Sequence, residues 1–152
     1  MYKFVMKTEN DISSLVLRLF LGIVFFPHGM QKLLGWYGGK GFSATMHHFT
    51  EGMGIAYIFA LLAVIAESFG ALGLIIGFLT RISAFGVGCV MVVAIFMVHF
   101  QHGFFMNWFG QKSGEGYEYH LLAIAIAIAL VIRGGGKWSL DRLIFKDQTD
   151  DL

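Results

Sequence analysis

The chain of 152 residues is poor in charge, cysteine and proline. Charged residues make up 14% of it, whereas soluble domains usually carry about 25%. Cys89 is the only cysteine, which excludes an intramolecular disulfide and any CxxC pair. The formal charge of +1 gives no electrostatic basis for binding nucleic acid. These absences exclude two-thiol redox chemistry by the chain alone and argue against a nucleic-acid partner.

Apolar residues, by contrast, make up 57% of the chain, and its mean hydropathy is +0.69. They are concentrated in four runs, at about residues 12–34, 55–79, 82–100 and 117–133. At about 1.5 Å per residue, the second run forms a helix of roughly 37 Å, enough to cross a hydrocarbon core of about 30 Å. The fourth run is the weakest, because only Leu121 to Ile132 is uninterrupted by polar residues. We interpret residues 1–152 as a single membrane domain, an all-α integral membrane four-helix bundle.

Two shorter helices are predicted outside these runs. In the Gly-rich connection of residues 35–54, Phe42, Met46 and Phe49 recur at helical spacing, which indicates a short interfacial helix in the first outer loop. Near the end, three glycines break the fourth helix and Ser139 is placed to cap a short amphipathic C-terminal helix.

The distribution of Lys and Arg predicts the orientation. The N-terminus, the turn at 80–81 and the tail share one side and hold most of the basic residues, namely Lys3, Lys7, Arg81, Arg133, Lys137, Arg142 and Lys146. The opposite connections hold Lys40 and Lys112. Because short cytoplasmic loops carry the excess of Lys and Arg, both termini of this multi-pass protein are predicted to be cytoplasmic.

Ionisable residues lie at one depth in all four runs. Measured from the cytoplasmic ends at about 1.5 Å per residue, His28, Glu67, His99, Glu118 and His120 fall at roughly 20–27 Å. Such groups are costly in lipid unless they face the bundle interior and find partners. We therefore predict a polar intramembrane site in the outer leaflet, formed by His28, Lys32, Glu67, His99, His102, Glu118 and His120.

Several roles for this layer remain open from the residues alone. The two glutamates and their cationic neighbours are able to act as a structural clamp between helices, to share a proton, or to bind a metal, although metal-motif spacing is lacking. A haem held by two histidines is a further alternative, although the sequence has no CxxCH motif for its covalent attachment. The aromatic residues of the 101–118 connection form either an interfacial belt or the mouth of a quinone site. Arg18, Arg81 and Arg133 are interpreted as structural or anchoring residues, and no residue is assigned as catalytic or as a metal ligand.

Four motifs in order resemble the DoxX family of small bacterial membrane proteins. They are RLFLGIVFFPHGMQKLLG, AESFGALGLIIGFLTR, HGFFMNW and EYHLLAIAIA followed by GGGKWSLDRL. The resemblance runs from about Leu15 to Leu143. It implies a four-helix bundle in the bacterial inner membrane and a redox setting, since some members are subunits of a thiosulfate:quinone oxidoreductase and others associate with sulfur-transfer and oxidative-stress proteins.

The leading hypothesis is a membrane subunit of a quinone-linked redox system. In it, His28 or His120 hydrogen-bonds a carbonyl of the quinone head group, and Glu67 or Glu118 passes protons. The alternatives are a non-catalytic scaffold or assembly partner for soluble redox or sulfur-transfer proteins, and a small transporter. The expected partners are the lipid bilayer and either protein partner subunits or further copies of the chain. The sequence leaves open whether the protein is an enzyme and which cofactor it uses.

Overall fold

The computed structural model of the chain describes residue 8 and residues 10–146. Within these ranges all regular secondary structure is helical, which confirms the predicted all-α membrane fold. The helices are α1 (Ile12–Leu33), α2 (Gly41–His47, continued by a π-helical turn, His48–Gly52), α3 (Tyr57–Ile76), α4 (Thr80–His102), α5 (Glu118–Arg133) and α6 (Leu140–Lys146). A short 3-10 turn, Trp36–Gly38, lies between α1 and α2.

Among the described helices, three are long and apolar enough to cross a membrane, namely α1, α3 and α4. They correspond to the first three predicted spans. The helix at the fourth predicted span, α5, has 16 residues, which gives a length of about 24 Å. It packs along α4 and α1. A crossing by α5 therefore stays a prediction.

Glycines bring α1 and α3 into backbone contact. A side chain at Gly29 would collide with the backbone of Glu67 and Ser68, and one at Gly22 would meet the Ala71 carbonyl oxygen at 2.9 Å. Gly22 and Gly29 are two turns apart and so share one face of α1. Small residues at such seams are how membrane helices approach closely. The close approach places the end of α1 beside the middle of α3.

The core between α4 and α5 is built from small and branched side chains. Ala84 and Val87 of α4 are fully buried, as is Leu130 of α5, and Ala127 is 2% exposed. They belong to one cluster with Phe25 of α1. The outward faces of the helices carry large apolar side chains that remain exposed, as expected of a protein whose surface contacts lipid.

The turn between α3 and α4 comes earlier than the sequence indicated. Hydrophobicity predicted a run to residue 79, but α3 ends at Ile76 because Gly77 adopts a left-handed conformation, with φ of 72°. Glycine takes this conformation without steric cost and commonly ends helices. The carboxylate of Asp141 then accepts hydrogen bonds from the amides of Leu79 (2.7 Å) and Thr80 (2.9 Å), and so caps α4.

The two short helices lie at opposite ends of the bundle. We call the end of the bundle that carries the 34–56 and 103–117 connections the loop end. There α2, which is part of the first connection, packs on α3 through Met46, which is buried in a cluster with Ala60 and Val64. At the other end, which we call the tail end, Asp11, the Gly77–Thr80 turn and residues 134–146 come together. There the Ser139 hydroxyl accepts a hydrogen bond from the Arg142 amide (3.2 Å), as predicted for the cap of α6.

Candidate functional site

An intramembrane ion pair joins α1 to α3. Glu67 is 5% exposed, and its Oε2 is paired with the ammonium group of Lys32. Lys32 lies one turn beyond Gly29, on the same side of α1. The close contact of α1 and α3 explains why these two side chains meet. Because the backbones touch at Gly29 and Glu67, a lysine one turn beyond Gly29 is within reach of the Glu67 carboxylate.

Both α3 and α4 change helical pitch where they carry ionisable residues. Glu67 lies in a π-helical turn, Ala66–Gly70, and His99 ends another, Ile95–His99. In the first of these turns, Ser68 donates its hydroxyl to the Val64 carbonyl, a bond that competes with the regular helix pattern. π-Helical turns insert one extra residue, re-aim the side chains around them, and are frequent at functional sites.

The first turn of α5 adds two polar side chains that lack partners. His120 is 6% exposed and its Nδ1 has no hydrogen-bond partner among the described residues; the same holds for the buried hydroxyl of Tyr119. The Tyr119 ring stacks on Phe25, with 6.5 Å between ring centroids. A buried polar group without a partner is costly, and therefore marks a place where a ligand or water would bind.

Two histidine rings lie in contact at the loop end of this cluster. The ring centroids of His99 and His120 are 4.0 Å apart, and the rings are tilted by 43°. The Nδ1 of His99 lies 2.9 Å from the backbone carbonyl of Glu115. Since a carbonyl only accepts, His99 donates from Nδ1, which leaves its Nε2 as an acceptor when the ring is neutral.

These residues lie at a large groove between α3 and α4. It has a volume of about 1670 Å³, and its lining includes outward side chains such as Phe69 and Phe85, which are more than half exposed. Most of its polar lining lies toward the loop end: His28, Lys32, His48, Glu67, His99, Glu115, Tyr119 and His120. Apart from Ser83 and Cys89, the rest of the lining is apolar or glycine. His28 is exposed along the groove and does not point into the core.

The remaining predicted site residues are placed elsewhere. The Glu118 carboxylate accepts hydrogen bonds from the Met106 amide (3.1 Å) and the Trp108 indole (3.3 Å). His102 packs against Gly114, and its Nδ1 lies 3.4 Å from the Ser113 hydroxyl. Neither residue lines the groove. Both therefore order the 103–117 connection, and the structure does not bring them together with Glu67.

The three arginines lie near the tail end. Arg18 is 2% exposed and donates to backbone carbonyls of α3 and of the tail. Arg81 donates to the Val131 carbonyl of α5. Arg133 pairs with Asp11 at 3.0 Å. All three connect segments that are distant in sequence.

The described residues offer few donors for a metal or a haem. In the part of the chain that the structure describes, no three His, Cys, Asp or Glu side chains are placed to hold one metal ion. The His99 and His120 rings, whose centroids are only 4.0 Å apart, leave no room for an iron between them. Tyr119 belongs to the cluster but was not predicted as a site residue. The one sequence feature that could have indicated it is its position between Glu118 and His120, which were predicted.

Comparison with known proteins gives the family. A family model described as DoxX matches residues 13–100. The chain belongs to the DoxX family. The resemblance carried by its motifs is thereby confirmed, and with it a membrane protein in contact with the lipid bilayer. The DoxX match includes Lys32, Glu67 and His99, whereas Tyr119 and His120 lie beyond it.

Three relatives of this DoxX protein cover most of its length. An "Uncharacterized protein" of Haemophilus influenzae is 31% identical over 90% of this chain and 86% of its own. "Inner membrane protein YqjF" of Escherichia coli is 30% identical over 93% of this chain and 98% of its own. "Putative oxidoreductase CatD" of Bacillus subtilis is 28% identical over 93% of each chain. No solved structure gives a significant match.

Proposed function

We propose that this DoxX protein is a membrane subunit of a quinone-linked redox system. The observation that carries the proposal is the cluster of Lys32, Glu67, Tyr119 and His120 at a groove that opens sideways between α3 and α4. A lipid-soluble ring with two carbonyl groups fits such a site, because it arrives from the bilayer and needs buried hydrogen-bond donors. The name of the Bacillus subtilis relative, "Putative oxidoreductase CatD", supports the same class of function.

The residues of the cluster suit the two ends of a quinone ring. The Tyr119 hydroxyl and the Lys32 ammonium are donors for a carbonyl oxygen, and His120 donates from Nδ1 in the corresponding tautomer. Glu67, whose carboxylate is paired with Lys32, is the residue that passes a proton in this proposal. Reduction to the quinol takes two electrons and two protons, one on each carbonyl oxygen. The chain has one cysteine and so no dithiol of its own; a redox partner subunit supplies the electrons in this proposal.

The proposal includes location and orientation. The name of the Escherichia coli relative supports the bacterial inner membrane. With both termini cytoplasmic and four crossings, the loop end and the polar cluster lie toward the outer leaflet. Protein partner subunits, or further copies of the chain, would then dock at the loops or at the tail.

A binding titration tests the proposal. Purified protein in nanodiscs is titrated with a tail-less ubiquinone or menaquinone analogue, and we expect saturable binding. Glu67→Gln should weaken it by about tenfold, which corresponds to the roughly 1.4 kcal/mol of one charged hydrogen bond. Glu51→Gln, an exposed glutamate on the turn after α2, is the matched control and should leave binding unchanged. Absence of saturable binding, or binding that Glu67→Gln does not alter, would contradict the proposal.

A structural clamp is the second candidate, favoured by the position of the ion pair beside the Gly29 seam. In a non-catalytic scaffold, Glu67→Gln would lower thermal stability and abundance, and capture of partner proteins would fall only in proportion to abundance. Interhelical polar contacts in membranes contribute only about 0.6–2 kcal/mol each. Such a contribution does not explain why Tyr119 and His120 are buried without partners at the same place.

A further inference from the structure

The groove between α3 and α4 extends well past the polar cluster. Beyond Glu67 it continues toward the tail end as far as Phe78 and Ile82. Eleven residues separate Glu67 from Phe78, which is about 16 Å along a helix. In this stretch the lining is apolar or small. We call this stretch the slot. Its lining includes Phe69, Gly70, Leu72, Gly73, Ile82, Phe85 and Gly86.

The slot has a floor of small residues between walls of large ones. On the floor, a Cβ added at Gly86 would lie 3.2 Å from the Ala66 side chain, so α3 and α4 nearly touch there. A Cβ added at Gly70 would make ordinary van der Waals contact with the Ser83 backbone of α4, at 3.7 Å, so Gly70 also lies on the floor. The walls are Phe69 of α3 and Phe85 of α4, which are 60% and 64% exposed.

A second observation points to a ligand with a polar end. His120 is buried, its Nδ1 has no partner within the described part of the chain, and its ring lines the same groove. The Tyr119 hydroxyl is likewise buried without a partner and lines the groove. An ordinary acyl chain would fill the slot but would not satisfy these groups. A molecule with a hydrogen-bonding ring and one long apolar tail would do both.

We propose that the slot binds the tail of a long-chain isoprenoid quinone whose ring lies at the polar cluster. The substrate class is then a membrane quinone and not a short-chain, water-soluble one. The tail runs along α3 and α4 toward the Gly77–Thr80 turn. This inference rests on the proposed function, since the ring site is the one described there.

Photocrosslinking tests where the tail lies. The probe is a quinone analogue with a diazirine at the end of a tail long enough to reach Phe78, and the reference is a phospholipid with a diazirine in its acyl chain. We expect the quinone probe to label slot residues of α3 and α4 and the phospholipid to label all outward faces, including Ile128 and Ile132 of α5, which are exposed. Equal labelling patterns for the two probes would show that the slot holds lipid acyl chains only and would overturn the inference.

A pair of variants tests the energetic contribution of the slot. Gly70→Leu adds bulk where a Cβ is tolerated, and Ala125→Leu adds bulk on the exposed face of α5, away from the groove. Gly70→Leu should weaken binding of the long-tailed quinone by about tenfold and binding of the tail-less analogue by no more than about twofold. Ala125→Leu should change neither. The tail-less analogue also reports whether each variant is folded.

The outcomes separate this inference from the function on which it rests. If the tail-less analogue binds in a Glu67-dependent manner but Gly70→Leu affects long and short tails equally, the ring site stands and the slot inference is wrong. If neither analogue binds saturably, both the proposed function and the slot inference are wrong.

Discussion

At the scale of single residues, Arg18 shows how one charge is kept inside a membrane bundle. Its Nε donates to Gly135 (2.8 Å), one terminal nitrogen to Leu74 (3.1 Å), and the other to Trp138 (2.9 Å), all at backbone carbonyls. Leu74 lies in the last turn of α3, where carbonyls have no partner within the helix and the helix dipole is negative. Arg18 therefore satisfies the end of α3 and fixes the tail against it with the same guanidinium group.

Replacement of Arg18 should destabilise the protein strongly. Arg18→Gln removes the charge and leaves buried carbonyls of α3 and of the tail unpaired, so we expect a loss of about 3–5 kcal/mol in the free energy of unfolding. Arg133→Gln is the control, because that side chain is half exposed and its pair with Asp11 should contribute at most about 1 kcal/mol. Chemical unfolding in detergent measures both. A loss for Arg18→Gln no larger than for the control would show that the tail does not depend on this contact.

Arg18 also shows how far the sequence alone reaches. It was predicted to have a structural or anchoring role because a charged side chain in an apolar run is costly unless it finds partners. Its acceptors were not predictable, because they depend on how residues 134–138, three of them glycines, fold back under the bundle. Tyr119 illustrates a similar limit, because its position in the sequence does not indicate that its hydroxyl is buried without a hydrogen-bond partner among the described residues.

At the scale of elements, lengths and types follow from the sequence, whereas pitch and end positions do not. Long apolar runs with few charges predicted α1, α3 and α4. The π-helical turns at Glu67 and His99 were not predicted, because one extra residue in a turn leaves no mark on hydrophobic periodicity over so short a stretch. Glu67 lies in the first of these turns and His99 ends the second, and both residues line the groove. Depth along the helices was also an incomplete guide: the predicted depth of Glu118 matched that of Glu67, but Glu118 binds the connecting loop.

The start of α1 depends on a carboxylate whose titration is measurable. The amide of Ser13 donates to Asp11, and with further hydrogen bonds from Ser14 it lowers the pKa of Asp11 from 3.8 to about 2. A pKa below that of the unfolded chain means that the ionised form stabilises the folded state. The contribution is complete above pH 3.8 and is lost as the pH falls toward about 2.

Asp11→Asn tests this dependence, because asparagine keeps the cap but does not titrate. The difference in thermal midpoint between the wild type and Asp11→Asn should be constant near neutral pH and should shrink below pH 3.8. Repeating the series in Arg133→Gln separates the cap from the pair between Asp11 and Arg133. A difference that stays the same down to pH 2 would show that the lowered pKa of Asp11 does not contribute to stability.

At the scale of the whole molecule, the two ends of α5 bear on its crossing. Its first residue follows the loop end, where the Glu118 amide donates to the Phe104 carbonyl (3.0 Å). The tail after its last residue reaches the opposite end, where the Lys137 amide donates to the Asp11 carbonyl (3.0 Å) and the Asp141 amide to Gly77 (2.9 Å). A helix of about 24 Å thus extends between the same two ends as α4, which has 23 residues. We therefore expect α5 to return across the bilayer if α4 crosses it.

Cysteine mapping decides between four crossings and three. In a Cys89→Ser background the chain has no other thiol, so Asn10→Cys, Lys112→Cys and Leu143→Cys each report one exposed position. With four crossings and cytoplasmic termini, an impermeant maleimide applied to spheroplasts should label Lys112→Cys alone, and the other two only after the membrane is opened. Labelling of Leu143→Cys but not Asn10→Cys from outside would mean that α5 does not cross. Labelling of both but not Lys112→Cys would mean that the orientation is reversed, which would move the polar cluster to the inner leaflet and the part of the slot near Phe78 to the outer one.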